Sequence, residues 1–176
     1  MLPPESMRFL EVLVSAAKPA KILEIGTNIG ASGIAMLKAC DRAHLYTVEM
    51  NEETAGIARR NFEAAGLADR ADILIGKAED ILPYMSDTFD FVFLDGPKGQ
   101  YGFMLSYILP LIAKGGMLVC DNVLFRGMVT GDKKVRARKR TIVKKLDEFL
   151  RLLSSDPSLI TGIIPIGDGM SVSYKK

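Results

Sequence analysis

Apolar positions along the chain cluster in short continuous runs, separated by longer segments of helical period. "KILEIG" (21–26), "HLYTVE" (44–49), "ADILIG" (71–76), "FDFVFLD" (89–95) and "GGMLVCD" (115–121) have the length and residue types of strands. Segments 51–65 and 99–112 carry helical spacing, 5–17 predicts an opening helix, and 134–153 predicts a long amphipathic helix stopped near "SSDP" (154–157). Strands alternating with such helices form βαβ units, hence a parallel sheet with right-handed crossovers. Two last runs, "LITGIIPI" (159–166) and "GMSVSYK" (169–175), meet at the turn "GDG" (167–169) and predict an antiparallel hairpin. The expected fold is therefore α/β: a doubly wound, mostly parallel seven-stranded sheet ending in an antiparallel hairpin. No repeat, low-complexity tract or linker interrupts it, so residues 1–176 read as a single domain.

Composition changes this picture little. Lys+Arg 23 nearly balance Asp+Glu 21, so the molecule is no polycation, but "KKVRARKR" (133–140) holds six basic residues and no acid. The two cysteines, Cys40 and Cys120, lack metal-ligand spacing and are expected as free thiols of a cytoplasmic protein. No apolar run reaches the roughly 18–20 residues of a membrane span, and no signal-peptide layout opens the chain.

In open sheets of this class, ligands sit at the carboxyl ends of the strands. Those ends carry Glu24-Ile25-Gly26, Glu49, Asp95 and Asp121-Asn122. Taken singly, Glu24 could cap a helix and Glu49 could be a first-turn acid; together they favour a site. In "EIGTNIGAS" (24–32), glycines 26 and 30 let backbone pass close to a ligand. A dinucleotide fingerprint needs a glycine where Asn28 stands, and the Asn28 side chain would crowd a diphosphate. Glu49 is placed to accept hydrogen bonds from both ribose hydroxyls. A nucleoside without a phosphate chain fits better, and S-adenosylmethionine is one, its sulfonium and amino group suiting Glu24 and Asp95. Two strand ends rich in oxygen donors point to a cation site, and Lys98, three residues past Asp95, to a base beside it; the bland alternative is a surface lysine in a loop. His44, the single histidine, lies at the wrong end of its strand for catalysis.

The motifs "LEIGTNIGAS", "YTVEMNEE" (46–53), "GKAEDILP" (76–83), "FVFLDGPKGQY" (91–101), "DNVLFRG" (121–127) and "GDGMSVS" (167–173) make the chain resemble the cation-dependent class I O-methyltransferases, the group of catechol and caffeoyl-CoA O-methyltransferases. The likeness runs from Pro3 onward, and D-x-x-K with a downstream D-N is its most specific part. It implies a Rossmann-like methyltransferase fold in which Asp95, Asp121 and Asn122 hold Mg²⁺ or another divalent cation. Lys98 would be the catalytic base, acting beside Asp95. Gly26, Asn28, Ser32, Glu49, Met50, Ala78, Glu79 and Asp95 match cofactor-contacting positions; Ala78 stands where a serine is common. The family's additional residues before "PPES", helices that help frame the acceptor pocket and a dimer interface, are expected to be missing here; a homodimer is still the expected assembly.

Chelation through two neighbouring oxygens requires vicinal hydroxyls or a hydroxyl beside a carbonyl. Within the family the chain is most similar to the branch containing tRNA 5-hydroxyuridine methyltransferase. The basic segment 133–140 could contact tRNA phosphates, although such a run is also an ordinary solvated helix face. The expected acceptor is 5-hydroxyuridine in tRNA, with a small catechol-like hydroxylated aromatic as the alternative. Two other classes stay in view: a nicotinamide-dependent oxidoreductase, disfavoured by Asn28 and the lack of Tyr-x-x-x-Lys, and a non-catalytic nucleoside- or RNA-binding module, disfavoured by the intact Asp95, Lys98, Asp121 and Asn122.

Overall fold

The computed structural model describes residues 2–131 and 137–176. Strands apolar on both faces must be covered on both faces. β1 (Lys21–Ile25) and β4 (Phe89–Leu94) are buried along almost their whole length and occupy the middle of the sheet. β2 (His44–Glu49) and β3 (Ala71–Ile75) extend it on one side; β5 (Ile112–Cys120), β7 (Met170–Lys175) and β6 (Leu159–Ile164) extend it on the other. The seven strands run in the order β3-β2-β1-β4-β5-β7-β6, and β7 alone runs opposite to the other six.

Helices α1 (Pro4–Ala17), α2 (Ala31–Ala39) and α3 (Glu52–Ala64) alternate with the first strands, and α4 (Ala78–Ile81), α5 (Tyr101–Leu111) and α6 (Arg140–Ser155) with the later ones. Side-chain alternation along β4 divides the interior in two. Phe91 and Phe93 join Leu10, Val14, Met36 and Phe62 of α1–α3, whereas Val92 and Leu94 join Leu105, Ile108, Leu146 and Phe149 of α5 and α6. Local chemistry sets the helix ends. Pro4 opens α1, where a missing N–H costs nothing, and the Asn51 side chain caps α3 by accepting from the Thr54 amide at 2.8 Å.

The sequence pattern misplaces three boundaries. β5 begins at Ile112 rather than Gly115, because α5 runs directly into an irregular stretch; the pairing with β4 jumps from Phe89↔Ile112 to Phe91↔Met117, and only from Met117 is the ladder regular. The helix expected over 134–153 begins at Arg140, after a single 3₁₀ turn at Ala137–Lys139, and continues to Ser155. Its buried side chains are Leu146, Phe149, Leu150 and Leu153, so "RARKR" has no apolar stripe with which to extend it. Residues 133–136 of the basic segment lie outside the described residues. The hairpin strands stop at Ile164 and start at Met170, leaving Pro165–Gly169 as the connection. Both cysteines are free and buried. Among the described residues no helix is long and apolar enough to cross a membrane.

Candidate active site

The sheet's hydrogen-bond ladder extends one residue past its central strands, which fixes the residues at their tips. The Gly26 amide donates to the Val48 carbonyl (3.0 Å), the Asp95 amide to Ile25 (2.9 Å) and the Asp121 amide to Leu94 (3.1 Å). Gly26, Asp95 and Asp121 thus stand side by side on one edge, where the connections from β1 and β4 depart in opposite directions. Ligands bind at such switch points. Gly26 is obligatory: at φ 102° its hydrogen lies against the Asp95 carbonyl, in space that a methyl group would need.

A cleft of about 560 Å³ opens between these tips. It brings together seven of the expected cofactor positions: Gly26, Asn28, Glu49, Met50, Ala78, Glu79 and Asp95. Glu49 is held by two backbone amides, that of Asn28 on Oε2 (2.8 Å) and that of Asn51 on Oε1 (3.0 Å). The carboxylate is therefore oriented before any ligand arrives, and each oxygen keeps a lone pair for a hydroxyl. Asn28 reaches it by adopting φ 49°, a left-handed conformation that asparagine tolerates.

Glu24 and Ser32 are placed otherwise. Neither lines the cleft. Glu24 is fully buried, its Oε1 accepting from the Ser32 hydroxyl (2.5 Å) and its Oε2 from Thr47 (2.6 Å), with Thr27 2.6 Å beyond Thr47. Burial pushes its pKa up to about 7 against the pull of those two hydroxyls, with Asp95 and Glu49 adding repulsion. The expectation that Glu24 meets the cofactor's charged groups is corrected accordingly: it ties β1 to β2 and to the start of α2, behind the cleft wall. The sequence placed Glu24 at a strand tip but could not show the Glu24↔Thr47 register that turns it inward.

On the other flank, Lys98 Nζ lies 2.6 Å from Asp95 Oδ1, with both side chains largely buried. Asp121 is 1% exposed, and its Oδ1 has no hydrogen-bond partner. Burial pushes its pKa up to about 6; Asp95 and Asp168 act in the same direction, while the Asn122 amide and Lys98 oppose them. A buried carboxylate oxygen left without a partner is costly, and a cation is the simplest group to satisfy it. Among the described residues no three His, Cys, Asp or Glu side chains form a metal-binding group. The available donors are two carboxylates and the Asn122 amide, a set of hard oxygens that fits Mg²⁺ better than a softer ion.

Sequence reasoning gave no site role to Tyr101. Its buried hydroxyl lies 3.1 Å from the carbonyls of both Leu94 and Asp121, bridging the tips of β4 and β5, and its ring packs edge-on against Phe149. Lys77, Pro97, Gln100 and Met104 also line the cleft without having been singled out. Cys120 is no nucleophile, since burial raises its thiol to about 12. His44 pairs with Asp72 at the opposite edge of the sheet, 2.9 Å away. The described end of the basic segment does approach the site loop, with Lys139 Nζ 5.0 Å from the ring of Phe125.

Fold and cleft define an open-sheet α/β protein with a preformed nucleoside-sized site at its switch point. Comparison with known proteins narrows this further. Residues 1–176 match the family model described as O-methyltransferase. A catechol O-methyltransferase of Niastella koreensis is 35% identical over 131 residues, covering 72% of this chain and 59% of the relative. That of Sus scrofa is 34% identical over 128 residues, covering 68% and 69%. Among solved structures, an O-methyltransferase from Bacillus cereus in complex with SAH superposes with a TM-score of 0.88 at 28% identity, over 100% of this chain and 83% of that one. The chain belongs to the O-methyltransferase family.

Proposed function

We propose that this protein transfers the methyl group of S-adenosylmethionine to a hydroxyl oxygen of an acceptor chelated to a divalent cation. The observation that carries the reading is the unpartnered Asp121 Oδ1, buried beside the Asp95–Lys98 pair on the flank of a cleft that contains a preoriented Glu49. SAH in the Bacillus cereus relative supports the choice of cofactor. When bound, the cation supplies Lewis acidity towards the acceptor hydroxyl, and the cofactor supplies an activated methyl group.

The chain's own residues do the rest. Glu49 holds the ribose end of the ligand, and the glycine turn at residue 26 lets it approach the sheet edge. Asp95, Asp121 and Asn122 are the ligand set for the cation. Lys98 must give up Asp95 Oδ1 and release its own proton to solvent before it can accept one from the acceptor hydroxyl, and neutralisation of Asp95 by another positive charge would favour both. Rate then comes from orientation within the cleft, with no covalent enzyme intermediate.

For the acceptor, 5-hydroxyuridine in tRNA is the reading that uses the basic residues of and beside the loop after Asn122: Arg126 within it, Lys139 over the Phe125 ring and Arg140 opening α6. A small catechol-like molecule is the second reading, favoured by the names of the two curated relatives. Incubation with labelled S-adenosylmethionine against bulk tRNA and a catechol panel, with Mg²⁺ or EDTA, tests both. Label should appear in one acceptor class and only with the metal; transfer indifferent to EDTA would overturn the cation-dependent mechanism.

A further inference from the structure

The "GDG" turn, residues 167–169, lies far along the chain from the Asp121–Asn122 pair yet packs directly against the loop that follows it. Three backbone amides of that loop are held from the turn. Val123 donates to the Gly169 carbonyl (2.9 Å), Leu124 to the Asp168 carbonyl (3.1 Å), and Arg126 to the Asp168 carboxylate oxygen Oδ1. Gly169 is so close to the Leu124 side chain that a Cβ there would overlap it, and Gly167 meets Ser6 of α1 in the same way. The turn is thus wedged between the start of α1 and the site loop.

The held loop is itself strained. Asn122, Phe125 and Arg126 all adopt left-handed backbone conformations, at φ 55°, 45° and 59°. Non-glycine residues reach this region at a cost, and three in five positions persist only where surrounding contacts impose them. Those contacts come chiefly from Asp168, because one residue satisfies two of the loop's amides and does so with a charge-assisted bond at Arg126.

We propose that Asp168 is a positioning residue: its carboxylate and carbonyl clamp residues 122–126 so that the Asn122 side chain and the rim formed by Phe125 and Arg126 are presented to the acceptor. This rests on the cation-dependent reading above. Asp168 is not among the residues that line the cleft; apart from its negative charge, which also acts on Asp121, it reaches the site through the loop, and Asp168→Asn separates the two by removing the charge while keeping the acceptor. Cofactor binding, which uses the tips of β1 and β2, should not sense it.

The test is hydrogen exchange on the full chain, comparing the wild type with Asp168→Ala and Asp168→Asn. The peptide containing residues 122–128 should exchange at least about tenfold faster in Asp168→Ala, the loss expected when a charged hydrogen-bond acceptor is removed. Asp168→Asn, whose amide oxygen can accept the same bond, should stay near the wild type. With the acceptor identified, Asp168→Ala should raise its KM by about tenfold or more with SAH affinity unchanged. Exchange unchanged in Asp168→Ala, or faster exchange with an unaltered acceptor KM, would overturn the proposal. If that variant does not fold, the wild type decides, because an unprotected Arg126 amide in NMR exchange contradicts the clamp. A wild type without methyl transfer would instead count against the proposed function, while exchange would still judge the clamp.

Discussion

Replacing Glu24 by glutamine should stabilise the protein at pH 8 and destabilise it by about 1 kcal/mol at pH 4.5. Glu24 is fully buried, and burial raises its pKa from 4.5 to about 7 in the folded state. A carboxyl group with a raised folded-state pKa binds its proton more tightly folded than unfolded. Its burden is therefore absent below pH 4.5, grows as pH rises to about 7, and is constant above that. At about 1.4 kcal/mol per pH unit, the interval corresponds to about 3 kcal/mol. Glutamine removes the charge but can accept from only one of the two hydroxyls of Ser32 and Thr47, so one must turn to receive the new N–H; that rearrangement offsets about 1 kcal/mol. A net gain of about 2 kcal/mol at pH 8 follows. Urea unfolding of both proteins at pH 5 and pH 8 measures it, and contributions from every other group cancel in the difference. Parallel pH profiles for the two proteins, or a glutamine variant that loses stability more at pH 8 than at pH 5, would show that the buried Glu24 charge does not burden the fold.

Other substitutions probe separate links. Tyr101→Phe removes the hydroxyl between the Leu94 and Asp121 carbonyls and should cost about 1–2 kcal/mol in urea unfolding while slowing methyl transfer through displaced strand tips. Gly26→Ala sets a methyl group against the Asp95 carbonyl at a strained φ, and calorimetry should show SAH affinity lowered by about tenfold or more. Lys98→Met should lower the rate of methyl transfer by about 10²–10⁴-fold with SAH affinity unchanged; a smaller loss would remove Lys98 from the role of base.

The strands from β1 to β4 were legible in the sequence to within one residue at each end, because a run buried on both faces has few alternative placements. The convergence of the strand tips was legible for a related reason: tips in an open sheet face one edge, which brings Gly26, Glu49 and Asp95 to the cleft and Asp121 to its flank. What stayed hidden depends on register and tertiary contact. Glu24 sits one residue inside its tip, and only its pairing with Thr47 shows that the carboxylate turns away from the cleft. The start of β5 was obscured by an irregular pairing next to Gly115 and Gly116, where apolar pattern and ladder part company. The start of α6 was overextended because charged residues fit a helical face as readily as a turn. Asp168 and Tyr101 act through backbone carbonyls and amides, which leave no signature in side-chain patterning.

The proposed mechanism requires Asp95, Asp121 and Asn122 to grip a divalent ion next to the adenosyl ligand. Titration of Mn²⁺ into the SAH-saturated protein, followed by electron paramagnetic resonance, addresses it without requiring an acceptor. One tightly bound ion in the wild type, lost in Asp121→Ala while SAH remains bound, is the predicted result. Equal Mn²⁺ binding in both proteins, or none in the wild type, would contradict it.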